Sequence, residues 1–281
     1  MHSFYLNCWA PSLKQYLKIA ELKMYQLEII SKYILNEDDE SLNQTFNDIL
    51  QENLEQKELF YKLTRYDKWF LLLFLRASSV SGQLFYRAKN TDESTCALTF
   101  NLFDILTDLS ELVIPTIENL KLDDIEIAFT PVKELYSVNY LHESIFKIRI
   151  NNKDFYPGAF DQNTKEKFFN TIDKTAITEI YNHLRKYDQA FESVYIINND
   201  KQLKDFYSVR FNLLGNTLFG FLKSTFIPQA QSLYKKKYTL LTKLNLDSNT
   251  INNLTPSECD IYLNIFNTEK ESATTDSSVS L

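Results

Sequence analysis

The sequence predicts a mostly α-helical fold, a multi-helix bundle of seven or eight helices with one small inserted β-hairpin. Three observations favour this class. Residues 69–75, here called the apolar segment, are seven consecutive apolar residues, and a helix without a polar face has to be covered by protein on all sides. The 281 residues include only four glycines and six prolines, too few for a fold of many tight turns. Elsewhere, apolar residues recur at the three- and four-residue spacing of amphipathic helices.

Four helices are predicted in the N-terminal half. Two of them begin with the spacing of a capping box, in which Ser12 is followed by Gln15 and Ser41 by Gln44. The third contains the apolar segment, and Gly82 follows it. Close packing against a neighbour or a kink is the simplest reason for a glycine at that point. These predicted helices cover residues 12–35, 41–61, a stretch around 69–75, and 92–114.

Residues 115–160 change character and contain three short β-prone runs. The pair Asn151–Asn152 separates two of these runs and suits a two-residue hairpin turn, because asparagine tolerates a positive φ angle. Helical spacing then returns in the C-terminal half. Its predicted helices cover residues 163–191, 200–227, 229–245 and a final one that begins at Thr255.

The final helix has the clearest start signal in the chain. Thr255 is the predicted N-cap, Pro256 takes the first helical position, and Glu258 completes the capping box. After Thr268 the chain has almost nothing to bury, which predicts disorder. The predicted organisation is therefore an N-terminal helical half at 1–114, a β-containing insertion at 115–160, a C-terminal helical half packed on the first at 161–267, and a disordered tail at 268–281.

The sequence offers little material for catalysis. Its three histidines, His2, His142 and His183, form no metal-binding motif with neighbouring residues, and no phosphate loop, dinucleotide fingerprint or nucleophile elbow is present. The three cysteines lie far apart, which predicts neither a disulfide framework nor a zinc site. No cofactor is expected, and a non-catalytic protein is favoured over an enzyme. The N-terminus has no export signal, which predicts a cytoplasmic location without a membrane span.

One acidic helix face provides a catalytic alternative. Asp104, Asp108 and Glu111 share one face of the predicted helix 92–114. Carboxylates in this arrangement can bind Mg²⁺ and a diphosphate, as in isoprenoid chemistry. The same pattern is typical of the solvated side of an amphipathic helix, and no second acidic motif accompanies it.

The distribution of charge is more informative than the net charge of −7. Residues 206–246, here called the basic segment, carry six basic residues and no acidic residue. Three interpretations stay open: pairing with acidic neighbours of the same fold, binding of an acidic protein partner, or contact with a nucleic-acid backbone. Tyr234 and Tyr238 accompany the lysines, either as stacking platforms for bases or as an ordinary packing pair. The candidate binding residues are Arg210, Lys223, Lys235, Lys236, Lys237 and Lys243.

Residues 206–212 resemble the start of the basic motif of helical HEPN-type ribonucleases, in which a histidine follows an arginine on a helix. Arg210 is the matching arginine, and residues 213–216 supply no histidine. The resemblance implies a degenerate, inactive relative in which Arg210 contacts phosphate.

Two function hypotheses follow from the sequence. The first is a non-catalytic helical protein-protein interaction module, such as a subunit, adaptor or inhibitor-like protein of a larger assembly. The second is a nucleic-acid-associated protein of the degenerate HEPN type that binds RNA or DNA through the basic segment. A protein partner is expected in the first case, and the sequence does not predict the oligomeric state.

Overall fold

A computed structural model provides the fold of the chain. It describes residues 4–89, 93–111, 116–123, 125–137, 139–190, 193–197, 207–211, 215–227 and 230–276. The helices in these ranges are α1 Met24–Leu35, α2 Asp39–Asn53, α3 Arg65–Ser79, α4 Leu102–Ser110, α5 Tyr140–Ser144, α6 Gln162–Thr171, α7 Lys174–Ala190, α8 Thr217–Phe226, α9 Ala230–Lys243, α10 Ser248–Asn253 and α11 Pro256–Asp276. Two short 3₁₀ helices add Lys57–Lys62 and Pro157–Ala159.

All the described β-sheets are antiparallel. The strands are β1 Tyr5–Ala10, β2 Gln15–Ala20, β3 Gln83–Lys89, β4 Thr95–Asn101, β5 Leu120–Leu122, β6 Ile125–Phe129, β7 Ile145–Ile150, β8 Lys153–Phe155, β9 Ser193–Ile197 and β10 Tyr207–Phe211. They form the hairpins β1–β2, β3–β4 and β9–β10 and a four-stranded sheet of order β5-β6-β7-β8. The mostly α-helical class is confirmed, whereas the predicted number of helices and the single hairpin are wrong for the described residues.

The first unpredicted hairpin replaces the start of the predicted helix 12–35. Leu17 and Ile19 on β2 are buried with Cys8 and Ala10 on β1, so alternate residues face the core. Ser12 does not cap a helix: its backbone N–H donates to Asp67 Oδ1 at 2.8 Å in the loop between the strands. The remaining helix, α1, begins only at Met24.

Two other predicted helices are each replaced in part by a β-strand. Residues 95–101 pair with β3, and Asn101 Oδ1 then accepts a hydrogen bond from Phe103 N at 3.1 Å, which caps α4. Gly82 packs against this junction, since a Cβ there would lie 2.8 Å from the Phe103 ring. Of the two reasons that the sequence left open for Gly82, close packing and a kink, the structure supports close packing. In the C-terminal half, the range of the predicted helix 200–227 contains the strand β10 and the helix α8.

The apolar segment lies within α3, at the centre of the larger hydrophobic core. Every residue of this segment except the half-buried Phe74 is buried, as the sequence predicts. Residues of both the first hairpin and the helices α1, α2, α4, α8, α9, α10 and α11 surround it. Thr64 caps α3, because its hydroxyl accepts from Asp67 N at 3.3 Å while Asp67 Oδ2 accepts from Thr64 N at 3.0 Å.

Charged residues of α3 are buried as well, which the sequence does not reveal. Arg76 is fully buried; its Nε donates to Thr225 O at 2.8 Å, and its Nη1 donates to Ser81 O at 2.6 Å. Lys68 donates to Asn47 Oδ1 at 2.8 Å. These residues bracket the apolar segment in sequence, yet they tie α3 to α8 and α2 rather than face solvent.

A smaller core forms between the four-stranded sheet and the helices α5, α6 and α7. Its turn between β7 and β8 is the predicted one, with φ angles of 50° at Asn151 and 63° at Asn152. The apolar residues of α6 and α7 therefore share a core with the β-containing insertion. The helices α8 to α11 contribute instead to the core around α3.

Helix α11 starts as the sequence predicts. Thr255 N donates to Glu258 Oε2 at 2.8 Å, and Glu258 N donates to Thr255 Oγ1 at 3.2 Å. The helix continues to Asp276, into the range for which the sequence predicts disorder. Residues 277–281 of the predicted tail lie outside the described residues.

Candidate interaction surfaces

Three of the six candidate residues in the basic segment pair with carboxylates of the same chain. Lys223 on α8 lies 2.6 Å from Asp39 on α2. On α9, Lys236 lies 2.6 Å from Asp260 and Lys237 lies 2.6 Å from Glu28. Two of these ion pairs fasten α8 to α2 and α9 to α1, and the third joins α9 to α11. Intramolecular pairing, one of the three interpretations of the basic segment, therefore accounts for half of the candidates.

The other three candidates differ among themselves. Lys235 and Lys243 are exposed on α9 and form no ion pair within the described part of the chain. Arg210 lies on strand β10, opposite Val194 of β9, and its side chain is outside the described residues. The strand replaces the helix that the HEPN resemblance requires. The described contacts and the comparisons below give no support to nucleic-acid binding.

Helix α9 also carries an exposed apolar face, here called the α9 stripe: Tyr234, Tyr238 and Leu241. Tyr238 is 66% exposed, Tyr234 43% and Leu241 36%. Their spacing of four and three residues places them on one side of the helix. Leu233 and Leu240 are buried on the side of the helix that faces the core, about 100° around from the stripe residues that follow them. The sequence identifies the two tyrosines as a candidate contact surface. Leu241 can be assigned to the same surface only when the buried side of α9 is known.

The hairpin β1–β2 has a second aromatic surface. Its inner face is buried, while Trp9 and Tyr16 are opposite each other in the register on the alternate face, where Trp9 is half-buried and packs against the core around α3. Their rings meet edge to face with centroids 5.1 Å apart, and Tyr16 is 70% exposed. Aromatic residues are enriched at the centres of protein interfaces, because they bury a large area at a small cost in conformational entropy. This surface could not be predicted, because the spacing of apolar residues indicated a helix at residues 12–35.

A cleft of about 450 Å³ lies beside the smaller core, lined by residues of the loop after β6, of α5, β7 and α6, and of the 3₁₀ helix at Pro157–Ala159. Arg65 at the start of α3 donates through Nε to Glu134 O. This hydrogen bond holds the Glu134 side of the cleft against the core around α3. His142, Glu143 and Lys165 line both this cleft and a neighbouring one of about 220 Å³. Phe146 is exposed at the rim.

The titratable groups of the cleft are shifted by burial. Glu143 Oε1 accepts from Ser137 Oγ at 2.6 Å, while its Oε2 is buried without a hydrogen-bond partner among the described residues. Burial raises the pKa of the Glu143 carboxyl above its ordinary value, although the Ser137 hydrogen bond opposes the shift. Burial, together with the nearby Lys165, lowers the pKa of His142. His142 stacks on Phe169 with ring centroids 3.9 Å apart.

The remaining candidates from the sequence do not come together as a catalytic site. His183 lies on α7, where its Nε2 is 2.9 Å from Glu118 O. Asp104, Asp108 and Glu111 are all exposed to solvent, which argues against the isoprenoid interpretation. Among the described residues no group of three or more histidine, cysteine or acidic side chains is placed to hold a metal ion. No described helix has the length and apolar character needed to cross a membrane.

These features define a class of protein: a mostly helical one that displays aromatic surfaces around a tightly fastened core. The chain belongs to a family described as T4 bacteriophage base plate protein, because the family model matches residues 6–200, more than half of its length. Neither the search of curated proteins nor that of solved structures found a match. The match is consistent with a non-catalytic subunit of a larger assembly. It stops before the basic segment, so the α9 stripe lies outside the part shared with the family.

Proposed function

We propose that this chain is a structural subunit of a phage base plate, in which it works by binding other subunits rather than by catalysis. The family match over residues 6–200 is the observation that carries the proposal. A base plate is an assembly of protein subunits, and its members need rigid bodies with surfaces that fit their neighbours. The expected partners are therefore proteins of the same assembly.

The described contacts support a rigid body of this kind. Asp67 joins the loop of the first hairpin to the start of α3, and Arg76 joins the end of α3 to α8. Buried hydrogen bonds of this type fix the relative positions of elements, since a buried donor or acceptor left without a partner costs about 1–3 kcal/mol. The face of the hairpin that carries Trp9 and Tyr16 is thus held in place before any partner binds. A preorganised surface loses less conformational entropy on association.

Phage particles that encode the chain provide the test. We expect quantitative mass spectrometry of purified particles to find the chain in a fixed ratio to other base plate subunits. A stop codon at Tyr25 should give particles without a complete base plate in electron micrographs, while a silent change at the same codon should have no effect. Complete base plates that lack the chain would contradict the proposal.

A surface variant sharpens this test. Tyr16→Ala removes an exposed ring and leaves the buried face of the hairpin unchanged, so the melting temperature should stay close to that of the parent chain. We expect this variant to enter particles less efficiently. Tyr61→Ala is the matched control, because Tyr61 is exposed to a similar degree, 65%, but does not belong to the hairpin face.

A further inference from the structure

The α9 stripe is an apolar surface that no described residue of the fold buries. Tyr234, Tyr238 and Leu241 follow one another at a spacing of four and three residues, the arrangement by which one helix packs along another. Leu233 and Leu240, which directly precede Tyr234 and Leu241 and so lie about 100° around the helix from them, already anchor α9 in the core. The helix is therefore fixed in orientation, and the stripe keeps its outward position without a partner.

The charge around the stripe is positive. Helix α9 carries four lysines and no acidic residue. Glu28 and Asp260 pair with Lys237 and Lys236, and Lys235 and Lys243 are left exposed without an ion pair in the described ranges. Lys235 follows Tyr234 directly and precedes Tyr238 by three residues, so it borders the stripe. Lys243 is two residues beyond Leu241, which places it about 170° around the helix from the centre of the stripe.

We propose that the α9 stripe is the docking site for an acidic amphipathic helix of another base plate subunit. The inference deepens the proposed function and rests on it. The partner helix would bury its apolar face against Tyr234, Tyr238 and Leu241, while a carboxylate beside that face would pair with Lys235. This is the mode in which an amphipathic helix is recognised by the spacing of its apolar anchors.

The observations favour a protein helix over a nucleic acid. Phosphate backbones are bound by several unpaired basic groups at once. Two of the four lysines of α9 are neutralised within the chain, including Lys237, which lies beside the stripe but pairs with Glu28. Of the two lysines without an ion pair in the described ranges, only Lys235 borders the stripe. Leu241 offers nothing to a stacked base, whereas it extends the seam that a helix needs. A contact with a second copy of this chain is the remaining alternative, and the experiment below separates it.

Two fluorescein-labelled helical peptides of about 18 residues serve as probes, a length that spans roughly five turns. Both have leucine at the seam positions; one has glutamate and the other lysine at the bordering positions. We expect the acidic peptide to bind the full chain at least about tenfold more tightly than the basic one in fluorescence anisotropy. Added salt should weaken this preference, because the charge contribution is screened.

Two lysine variants provide a matched pair. Lys235→Glu should weaken binding of the acidic peptide about tenfold, while Lys243→Glu, the same change on the same helix but away from the stripe, should weaken it less than about threefold. Tyr238→Ala should weaken both peptides, and Tyr181→Ala on α7 should weaken neither. Circular dichroism melting confirms that each variant is folded before binding is measured.

Several results would overturn the inference. Equal binding of the two peptides, or binding of neither, removes the acidic helix as the occupant. Tighter binding of a DNA or RNA oligonucleotide that Lys235→Glu abolishes would assign the stripe to nucleic acid. Sedimentation of the chain alone as a dimer that Tyr238→Ala dissociates would assign it to a second copy. In each of these cases the chain can still be found in phage particles, so the proposed function is judged separately.

Discussion

At the scale of single residues, Glu143 carries an energetic penalty in the folded chain. One of its oxygens accepts a hydrogen bond from Ser137, while the other is buried without a partner among the described residues. A raised carboxyl pKa means that the folded chain binds the proton more tightly than the unfolded chain does. The free energy of unfolding therefore falls as the pH rises through the range above the ordinary carboxyl pKa. Glu143 therefore contributes less to the stability of the fold at neutral pH than it does at acidic pH.

Glu143→Gln should accordingly stabilise the protein at pH 7. A neutral amide is easier to bury than a carboxylate, so we expect the free energy of unfolding to rise by about 1 kcal/mol. The gain should shrink as the pH falls towards 4, where Glu143 is protonated in the parent chain. Urea unfolding at several pH values between 4 and 8 measures both effects.

The matched control is Glu179→Gln on α7, which makes the same chemical change at an exposed position. It should alter the free energy of unfolding by less than about 0.5 kcal/mol at any of these pH values. A destabilised Glu143→Gln variant would show instead that the carboxylate has a stabilising partner in the fold.

At the scale of secondary-structure elements, the turn between β7 and β8 determines how the edge of the four-stranded sheet forms. Asn151 and Asn152 both have positive φ angles, the geometry of a type I′ turn, in which glycine is preferred at the second position. We expect Asn152→Gly to raise the free energy of unfolding by about 0.5 kcal/mol. Asn152→Val should lower it by about 1 kcal/mol, because a β-branched residue is strained at positive φ. Thermal unfolding of the two variants gives the comparison.

Helix α3 depends on its buried arginine as well as on its apolar segment. Arg76→Met keeps much of the volume and removes the donors to Thr225 O and Ser81 O. We expect the free energy of unfolding to fall by about 3 kcal/mol, since each hydrogen bond to a charged group contributes about 1.5–3 kcal/mol. Arg185→Met at an exposed position on α7 should change it by less than about 0.5 kcal/mol. Equal effects in denaturant unfolding would contradict a structural role for Arg76.

Elements whose local signals agree could be predicted from the sequence, and elements that depend on distant partners could not. The apolar segment, the Asn151–Asn152 turn and the Thr255 capping box are set by their own residues, and all three are confirmed. The first hairpin was missed because Leu13, Leu17 and Ala20 have helical spacing, while pairing with β1 decides the conformation of residues 15–20. Helix–strand ambiguity of this kind is expected in short apolar stretches.

The interaction surfaces were only partly predictable for the same reason. Sequence composition identifies the basic segment, but which lysines are neutralised depends on Glu28, Asp39 and Asp260, which tertiary packing brings close. Lys235 and Lys243 can be distinguished from Lys236 and Lys237 only after the buried side of α9 is known. Glu143 likewise gains its significance from a cleft beside the smaller core that no local pattern indicates.

At the scale of the whole molecule, the part of the chain that the family model matches is shorter than the part that builds the larger core. The match ends at residue 200, yet the core around α3 includes buried residues from α8 to α11. Phe219 and Phe226 pack their rings against Phe46 on α2, with centroids 6.1 Å and 5.7 Å away. The segment beyond the match therefore completes the core that the matched part begins.

Removal of residues 201–281 should thus unfold the part that the family model covers. The deletion removes the buried side chains of Leu218, Phe219, Leu222, Phe226 and Leu240 and exposes the residues that pack against them. At about 1.5–3 kcal/mol for each buried side chain, the loss is on the order of 10 kcal/mol, comparable with the whole stability of a typical domain. We expect the shortened chain to bind a hydrophobic dye and to lose its cooperative urea transition.

A chain that ends at Thr268 keeps every residue of both described cores and should unfold as the full chain does. Cooperative unfolding of the chain that ends at residue 200 would show that the matched part forms a core of its own.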